Sequence, residues 1–156
     1  MSMELHVFSD RQLNSTAELQ RALNNQQYPL RLDSDVILRS VNGFLPSTLD
    51  GRRTGFECFD DDPGATMDFL GRDHFPHRWS FALGLRWRGG FDELQAAWMA
   101  ATAYASATDG VMFDHETAKI VTPAQGRKTV GEIVAARPRI DAVMAEMMKK
   151  LAAGSA

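Results

Sequence analysis

The sequence WSFALGLRWR at residues 79–88 is the clearest strand pattern in the chain. Every second residue in it is large and apolar, and the residues between are small, polar or charged. The apolar series is Trp79, Phe81, Leu83, Leu85 and Trp87. Successive side chains of a β-strand point to opposite faces, so this period of two predicts a strand with one face packed on helices. Burying each large side chain contributes roughly 1.5–3 kcal/mol before entropy, which favours a central position in a sheet.

A helix is predicted directly after this strand, over residues 91–107. The segment contains seven alanines, which favour helix and permit close approach to a sheet. Asp92 and Glu93 lie in its first turn, where the positive end of the helix dipole stabilises carboxylates. The next two segments, 111–113 and 118–122, are predicted to form a β-hairpin.

The amino-terminal half is predicted to supply three more strands and one helix. Alternating or β-branched residues place the strands at 4–8, 36–41 and 54–59. The sequence STAE beginning at Ser15 has the spacing of a capping box and predicts the start of the helix. Residues 42–53 are rich in Gly, Pro, Asn and Asp, and two bends are predicted there, at Leu45-Pro46 and at Asp50-Gly51.

The carboxy-terminal segment is predicted to contain two helices. The first, at 129–136, is expected to be interrupted at Arg137-Pro138, because proline lacks the N–H that a helix needs. The second carries one apolar stripe, made of Ile140, Val143, Met144, Met147 and Leu151. Such a stripe predicts packing into the core; the alternative is an exposed surface for a partner, including the seam of a homodimer.

Together these elements predict an α+β fold with a single, mostly antiparallel sheet and helices packed on one face. The length of 156 residues favours one domain over residues 1–156. There is no internal repeat or low-complexity linker in the sequence that would mark a second domain.

Composition excludes several classes of protein. Hydrophobic residues make up 44% and charged residues 24% of the chain, which is usual for a globular domain. The net charge of -3 argues against a general nucleic-acid binder. No apolar run approaches the ~20 residues of a membrane span, and the amino terminus lacks the pattern of a secretory signal. We therefore expect a cytoplasmic protein with no membrane partner.

The single cysteine, Cys58, lies within a strand-like segment. A catalytic thiol needs an electropositive, accessible setting and a nearby base, and the sequence shows neither. We predict a buried apolar role for this side chain. No glycine-rich phosphate loop, Gly-x-Ser-x-Gly turn or His-Glu-x-x-His motif is present, so the sequence predicts no catalytic residue and no cofactor.

The sequence DHFPH at residues 73–77 places two histidines three positions apart. Pro76 makes a continuous helix there unfavourable, and the segment is predicted to be a polar loop without a metal. The alternative interpretation is a metal-dependent hydrolase that uses His74, His77 and Asp73. Its remaining ligands would be Asp68 and His115.

An acidic run, Asp60-Asp61-Asp62, lies in a segment of opposite charge to the carboxy-terminal part of the chain. Residues 57–73 hold six acids and one base, whereas residues 119–150 hold seven bases and three acids. The run is expected to end the strand at 54–59, because proline follows it and adjacent carboxylates resist burial. Its functional interpretation is a surface that steers a basic protein partner; the alternative is a solvated loop.

Three segments carry a resemblance to a group of known proteins. They are WSFALGLRW, FDELQAAWMAATAYASATDG and VMFDHETAKIV, which together span residues 79–121. This pattern resembles small uncharacterised bacterial proteins, including immunity-type proteins that neutralise a toxin. The resemblance implies a non-enzymatic protein-binding module, such as an immunity protein with a toxin as its partner, and it supplies no catalytic residue. The alternatives are the metal-dependent hydrolase and a structural homodimer.

Overall fold

The computed structural model describes residues 3–154. Within that range the strands are β1 Met3–Ser9, β2 Leu30–Leu32, β3 Asn42–Leu49, β4 Arg52–Asp61, β5 Phe81–Trp87, β6 Val111–Asp114 and β7 Lys119–Val121. The helices are α1 Thr16–Asn25, α2 Pro63–Leu70, α3 Phe91–Thr108 and α4 Pro123–Gly154. None of these helices combines the length and the apolar character needed to cross a bilayer.

The strands form one antiparallel sheet in the order β2-β3-β4-β5-β1-β6-β7. Strand β5, which contains most of the sequence WSFALGLRWR, lies in the middle, as its apolar period predicts. The predicted α+β class with a mostly antiparallel sheet is confirmed. The two outermost strands, β2 and β7, are only three residues long.

The main core lies between one face of the sheet and α3. Leu83, Leu85 and Trp87 of β5 are buried on this face, as predicted. The alanines of α3 are almost all buried, which lets the helix backbone approach the strands closely. Helices α1 and α4 flank α3 on the same side of the sheet.

A second, smaller core lies on the opposite face, beneath α2. It consists of Phe8, Met67, Phe75, Ala82 and Phe113. Trp79 precedes β5 and packs against this second core, so it does not share a face with the buried residues of the strand. The expectation that all five large side chains of residues 79–88 lie on one face is therefore wrong at Trp79.

The expected strand at 36–41 and the expected bend at Leu45-Pro46 are wrong, whereas the bend expected at Asp50-Gly51 is confirmed as the turn between β3 and β4. Leu38–Ser40 forms one turn of 3-10 helix, and the chain becomes extended only at β3. Alternate residues of β3 are buried, because successive side chains of a strand point to opposite faces of the sheet and only one face is covered here. Pro46 has no N–H to donate within the sheet, but its carbonyl still accepts a hydrogen bond from Asp33 N at 2.9 Å.

The end of β4 also differs from the expectation. The strand continues through Asp60 and Asp61, so the acidic run does not end it at residue 59. Asp62 instead caps α2, its carboxylate accepting from Gly64 N at 3.1 Å, and Pro63 occupies the first turn. The predicted start of α1 is confirmed, because Ser15 Oγ accepts from Glu18 N at 3.2 Å.

The carboxy-terminal segment is one helix of 32 residues, and the expected interruption at Arg137-Pro138 is wrong. Helix α4 runs antiparallel to α3: Arg127 reaches Ser106 near the end of α3, and Arg137 contacts Asp92 in its first turn. Beyond Arg137, α4 therefore extends past α3 away from the sheet. We call its exposed residues 141–154 the α4 overhang.

Candidate functional site

A polar cluster lies on the same sheet face as the second core. Even-numbered residues of β1 point to this face, while Leu5 and Val7 point to α3. His6 lies between Gly84 of β5 and Phe113 of β6, and it is only 4% exposed. A buried histidine in the centre of a sheet needs polar partners, because an unpaired buried polar group destabilises the fold.

Gly84 gives His6 a partner from a strand that is not its neighbour. A Cβ at residue 84 would stand 2.7 Å from Asp61 Oδ2 and 3.2 Å from His6 Nε2. Since β5 carries no side chain there, Asp61 of β4 reaches across it to His6. The two side-chain atoms are 2.7 Å apart. The missing side chain at Gly84 of β5 thus allows the contact between Asp61 and His6 to connect β4 with β1.

His115 provides the second partner, from the turn that follows β6. Its Nε2 lies 2.7 Å from His6 Nδ1. The carboxylate of Asp61 only accepts, so His6 Nε2 carries a proton and, in the neutral ring, Nδ1 accepts from His115 Nε2–H. Asp61, His6 and His115 therefore form a continuous chain of hydrogen bonds.

Glu4 and Arg86 complete the cluster. Glu4 Oε1 lies 3.7 Å from His6 Nε2 and 3.3 Å from Arg86 Nε. The Arg86 guanidinium also lies over the Phe59 ring, 4.7 Å from its centroid. We call Glu4, His6, Asp61, Arg86 and His115 the His6 cluster.

The electrostatics of the cluster favour a neutral His115. Burial lowers the pKa of its imidazole below the ordinary value; Glu4 opposes this shift and His6 adds to it. The cluster borders an open pocket of about 350 Å³, whose other wall is α2. Phe69 of α2 stands at this pocket and is 87% exposed. Neutral imidazoles beside carboxylates can transfer protons or coordinate a cation.

Only one residue of the alternative metal site proposed from the sequence belongs to this cluster. Across residues 3–154, the group of metal-ligating side chains is Glu4, His6 and His115. His74 packs edge-on against the Phe113 ring. His77 Nε2 lies 2.6 Å from Asp10 Oδ2. The structure thus places His115 in a cluster but adds neither of these two histidines to it.

Asp73 and Asp68 lie outside that group as well. Asp73 belongs to a turn of 3-10 helix after α2. Asp68 forms ion pairs with Arg72 and Arg78, and hydrogen bonds from Arg72 first, then from Arg78, lower the pKa of its carboxyl. This carboxylate is already neutralised by two cations.

The acidic run does not form one surface. Asp61 points to His6, and Asp62 caps α2. Asp60 points to the other face of β4, where burial and then the neighbouring Asp61 raise the pKa of its carboxyl and Arg39 opposes them. The partner-binding role of Asp60, Asp61 and Asp62 remains a prediction.

Cys58 has the predicted buried role. Its side chain lies on β4 and is fully buried in the main core. Burial, followed by the charges of Asp60 and Asp61, raises the pKa of the thiol to about 12. Such a thiol is not a nucleophile near neutral pH.

The methionine stripe is exposed, and the expectation of core packing is wrong. Val143, Met144, Met147 and Met148 are each more than half exposed. They lie on the α4 overhang, where α3 no longer covers the helix. These side chains are exposed, as the alternative requires; that a partner binds there stays a prediction.

No protein-family model, curated protein or solved structure matches this chain.

Proposed function

We propose that the chain is a non-enzymatic protein-binding module whose contact element is the α4 overhang. The observation that carries the proposal is the exposure of its apolar stripe: Met144 is 54% exposed and Met147 is 53% exposed. Large exposed apolar side chains grouped on one side of a helix are typical of a surface that another protein covers.

The stripe continues a packing surface that is already in use. Gly126 and Val130 of α4 are buried, and Ile133 packs against the main core. The stripe follows the same spacing along α4, at residues 126, 130, 133, 137, 140, 144 and 147, with steps that alternate between four and three residues. This is the spacing of a seam between helices, so one half of the seam is filled by α3 and the other half is left for a partner.

The occupant we assign is an apolar groove in a different protein. The overhang has 14 residues and is about 21 Å long at ~1.5 Å per residue. Antiparallel pairing of two such helices buries on the order of 1,000 Å² in total, below the usual size of a stable interface. A groove that encloses the helix also covers Val143 and Met148, which lie at the margins of the stripe.

Charge adds a feature to this partner. Lys149 and Lys150 of the overhang, both exposed, follow the apolar stripe directly. An acidic rim on the groove would complement them and increase the rate of association. The chemistry expected of the partner is therefore an apolar groove with carboxylates at one end.

The more specific proposal is that the partner is a toxin and the chain its immunity protein. It is supported by the resemblance of residues 79–121 to immunity-type bacterial proteins. In this proposal the acidic run Asp60-Asp61-Asp62 attracts a basic part of the same partner. Asp60 and Asp62 make the direct contacts, because the Asp61 carboxylate is already hydrogen-bonded to His6.

The test uses a photo-crosslinking amino acid at residue 147 in the producing cells, followed by purification of the captured protein. Its dissociation constant is then measured for the wild type and for Met144→Glu/Met147→Glu. We expect the double variant to bind at least about 100-fold more weakly, as substitution of buried interface anchors does. Ala142→Glu/Ala145→Glu is the matched control, since it adds the same charge away from the stripe.

Two results would overturn the proposal. One is equal affinity of the wild type and the stripe variant for the captured protein. The other is a wild-type dimer in sedimentation that the stripe variant loses, because the occupant would then be a second copy. Charge reversal by Asp60→Lys and Asp62→Lys tests the acidic part separately, and unchanged affinity removes these residues from the interface.

A further inference from the structure

We infer that the His6 cluster binds a divalent transition-metal ion, with Zn²⁺ as the probe, through Glu4, His6 and His115. Each of these side chains offers one donor atom, and the three atoms lie within 4.8 Å of one another. The site lies on the sheet face opposite α3 and α4, so it is independent of the α4 overhang.

The donor set selects the class of cation. Two imidazole nitrogens and one carboxylate suit Zn²⁺ and related transition metals, whereas Mg²⁺ and Ca²⁺ prefer oxygen ligands throughout. Three protein ligands leave a fourth coordination position for water or another ligand. The open pocket beside the cluster gives a cation access from solvent.

Asp61 gives the buried histidine the proton arrangement that a ligand needs. Its Oδ2, 2.7 Å from His6 Nε2, accepts a hydrogen bond from that nitrogen, so the lone pair of the ring is on Nδ1, on the side of His115. Ligating histidines usually donate their other ring N–H to a carboxylate, which fixes the ring and makes it a stronger ligand. Gly84 is the residue that makes this contact accessible across β5.

Binding requires only a small movement. Two nitrogens bound to one tetrahedral metal at ~2.1 Å stand about 3.4 Å apart. His6 Nδ1 and His115 Nε2 are 2.7 Å apart. His115 lies in the turn after β6, and a shift of its ring by this amount lets the metal replace the hydrogen bond between the rings. The proton of His115 Nε2 then moves to Nδ1 of the same ring through solvent, which frees Nε2 to bind the metal.

The charges of the cluster are compatible with a cation. Glu4 and Asp61 supply two carboxylates against the single guanidinium of Arg86. The pair of Glu4 Oε1 and Arg86 Nε is 3.3 Å apart without hydrogen-bond geometry, so Glu4 is held loosely by the arginine. Arg86 is partly exposed and keeps its contact with the Phe59 ring when Glu4 turns towards the metal.

The experiment titrates the metal-free chain with Zn²⁺ in a calorimeter and with Co²⁺ in a spectrophotometer. We expect one ion per chain and the intense visible bands of a tetrahedral Co²⁺ site. His115→Ala and Glu4→Gln should each weaken Zn²⁺ binding at least about 10-fold, and Asp61→Asn should weaken it by roughly 10–100-fold. The matched control, His74→Ala/His77→Ala, removes two other histidines and should bind as the wild type does.

The proposal fails if the chain gives neither heat with Zn²⁺ nor Co²⁺ bands, if the cluster variants bind like the wild type, or if the control loses binding. Circular dichroism establishes that each variant is folded. Should His115→Ala not fold, Glu4→Gln decides the outcome, because it keeps the size and shape of the side chain on the rim of the pocket.

Discussion

Replacing Pro138 with alanine should stabilise the α4 overhang and leave the rest of the chain unchanged. Pro138 lies inside α4 and has no N–H to donate to the carbonyl of Val134, four residues earlier. Proline in a helix interior costs about 3 kcal/mol relative to alanine. When α4 unfolds from its carboxy-terminal end as far as Pro138, the free-energy cost of the proline is relieved. The wild-type overhang should therefore unfold more often than that of the variant, by a factor of roughly 100 at most.

Hydrogen exchange measured by mass spectrometry checks this expectation. Amides of residues 141–154 should be protected about 10–100-fold more in Pro138→Ala, while peptides of α3 exchange as in the wild type. Arg139→Ala is the control, since it alters an exposed neighbour without restoring an N–H. Equal exchange of the overhang in the wild type and in Pro138→Ala would refute the reasoning, because the overhang would then open without releasing the proline.

Two further predictions concern the core and the packing of α3 on α4. Because Cys58 is fully buried and the pKa of its thiol is raised to about 12, alkylation at pH 8 should be far slower in the folded chain than in urea, and rapid labelling of the folded chain would contradict this burial. Burial raises the pKa of Asp92, but hydrogen bonds from Arg52 and Arg137 outweigh it and hold the pKa below its ordinary value. The stabilisation by the charged Asp92 is present above the unfolded pKa of about 3.9 and is lost as the pH falls through the folded pKa. Asp92→Asn should therefore lower the free energy of unfolding by about 1–2 kcal/mol at pH 7 and by less at pH 3. An equal loss at both pH values in urea titrations would contradict this expectation.

The central part of the fold could be predicted from the sequence because each signal there has one dominant cause. Leu83, Leu85 and Trp87 alternate with small or polar residues, and burial on one face explains this pattern. The alanines of α3 favour helix locally and are also the residues that close packing on a sheet requires. Local preference and tertiary packing agree in these segments.

The prediction failed where tertiary contacts override local preference. The Gly, Pro and Asn residues of β3 favour turns, yet pairing with β2 on one side and β4 on the other holds the segment extended. Pro138 disfavours helix, but the packed first half of α4 and the favourable residues after it keep the helix continuous. Neither outcome follows from a short window of sequence.

The His6 cluster could not be predicted because its members are far apart in the chain. Glu4 and His6 share a face of β1, and that much is visible in the alternation of the first strand. Their meeting with Asp61 and His115 depends on β1 lying between β5 and β6, and on the gap at Gly84. Gly84, a glycine among the bulky residues of β5, is a local signal for the close approach of other groups to the backbone there.

The shortness of β2 and β7 has a consequence for how the molecule can associate. A strand of three residues exposes few free backbone donors and acceptors, so a foreign chain that extended the sheet at either margin would form few hydrogen bonds. Neither edge strand is therefore a long template for another chain. The contacts proposed for a partner and for a metal ion accordingly use side chains, on the α4 overhang and in the His6 cluster, rather than the peptide backbone of the sheet.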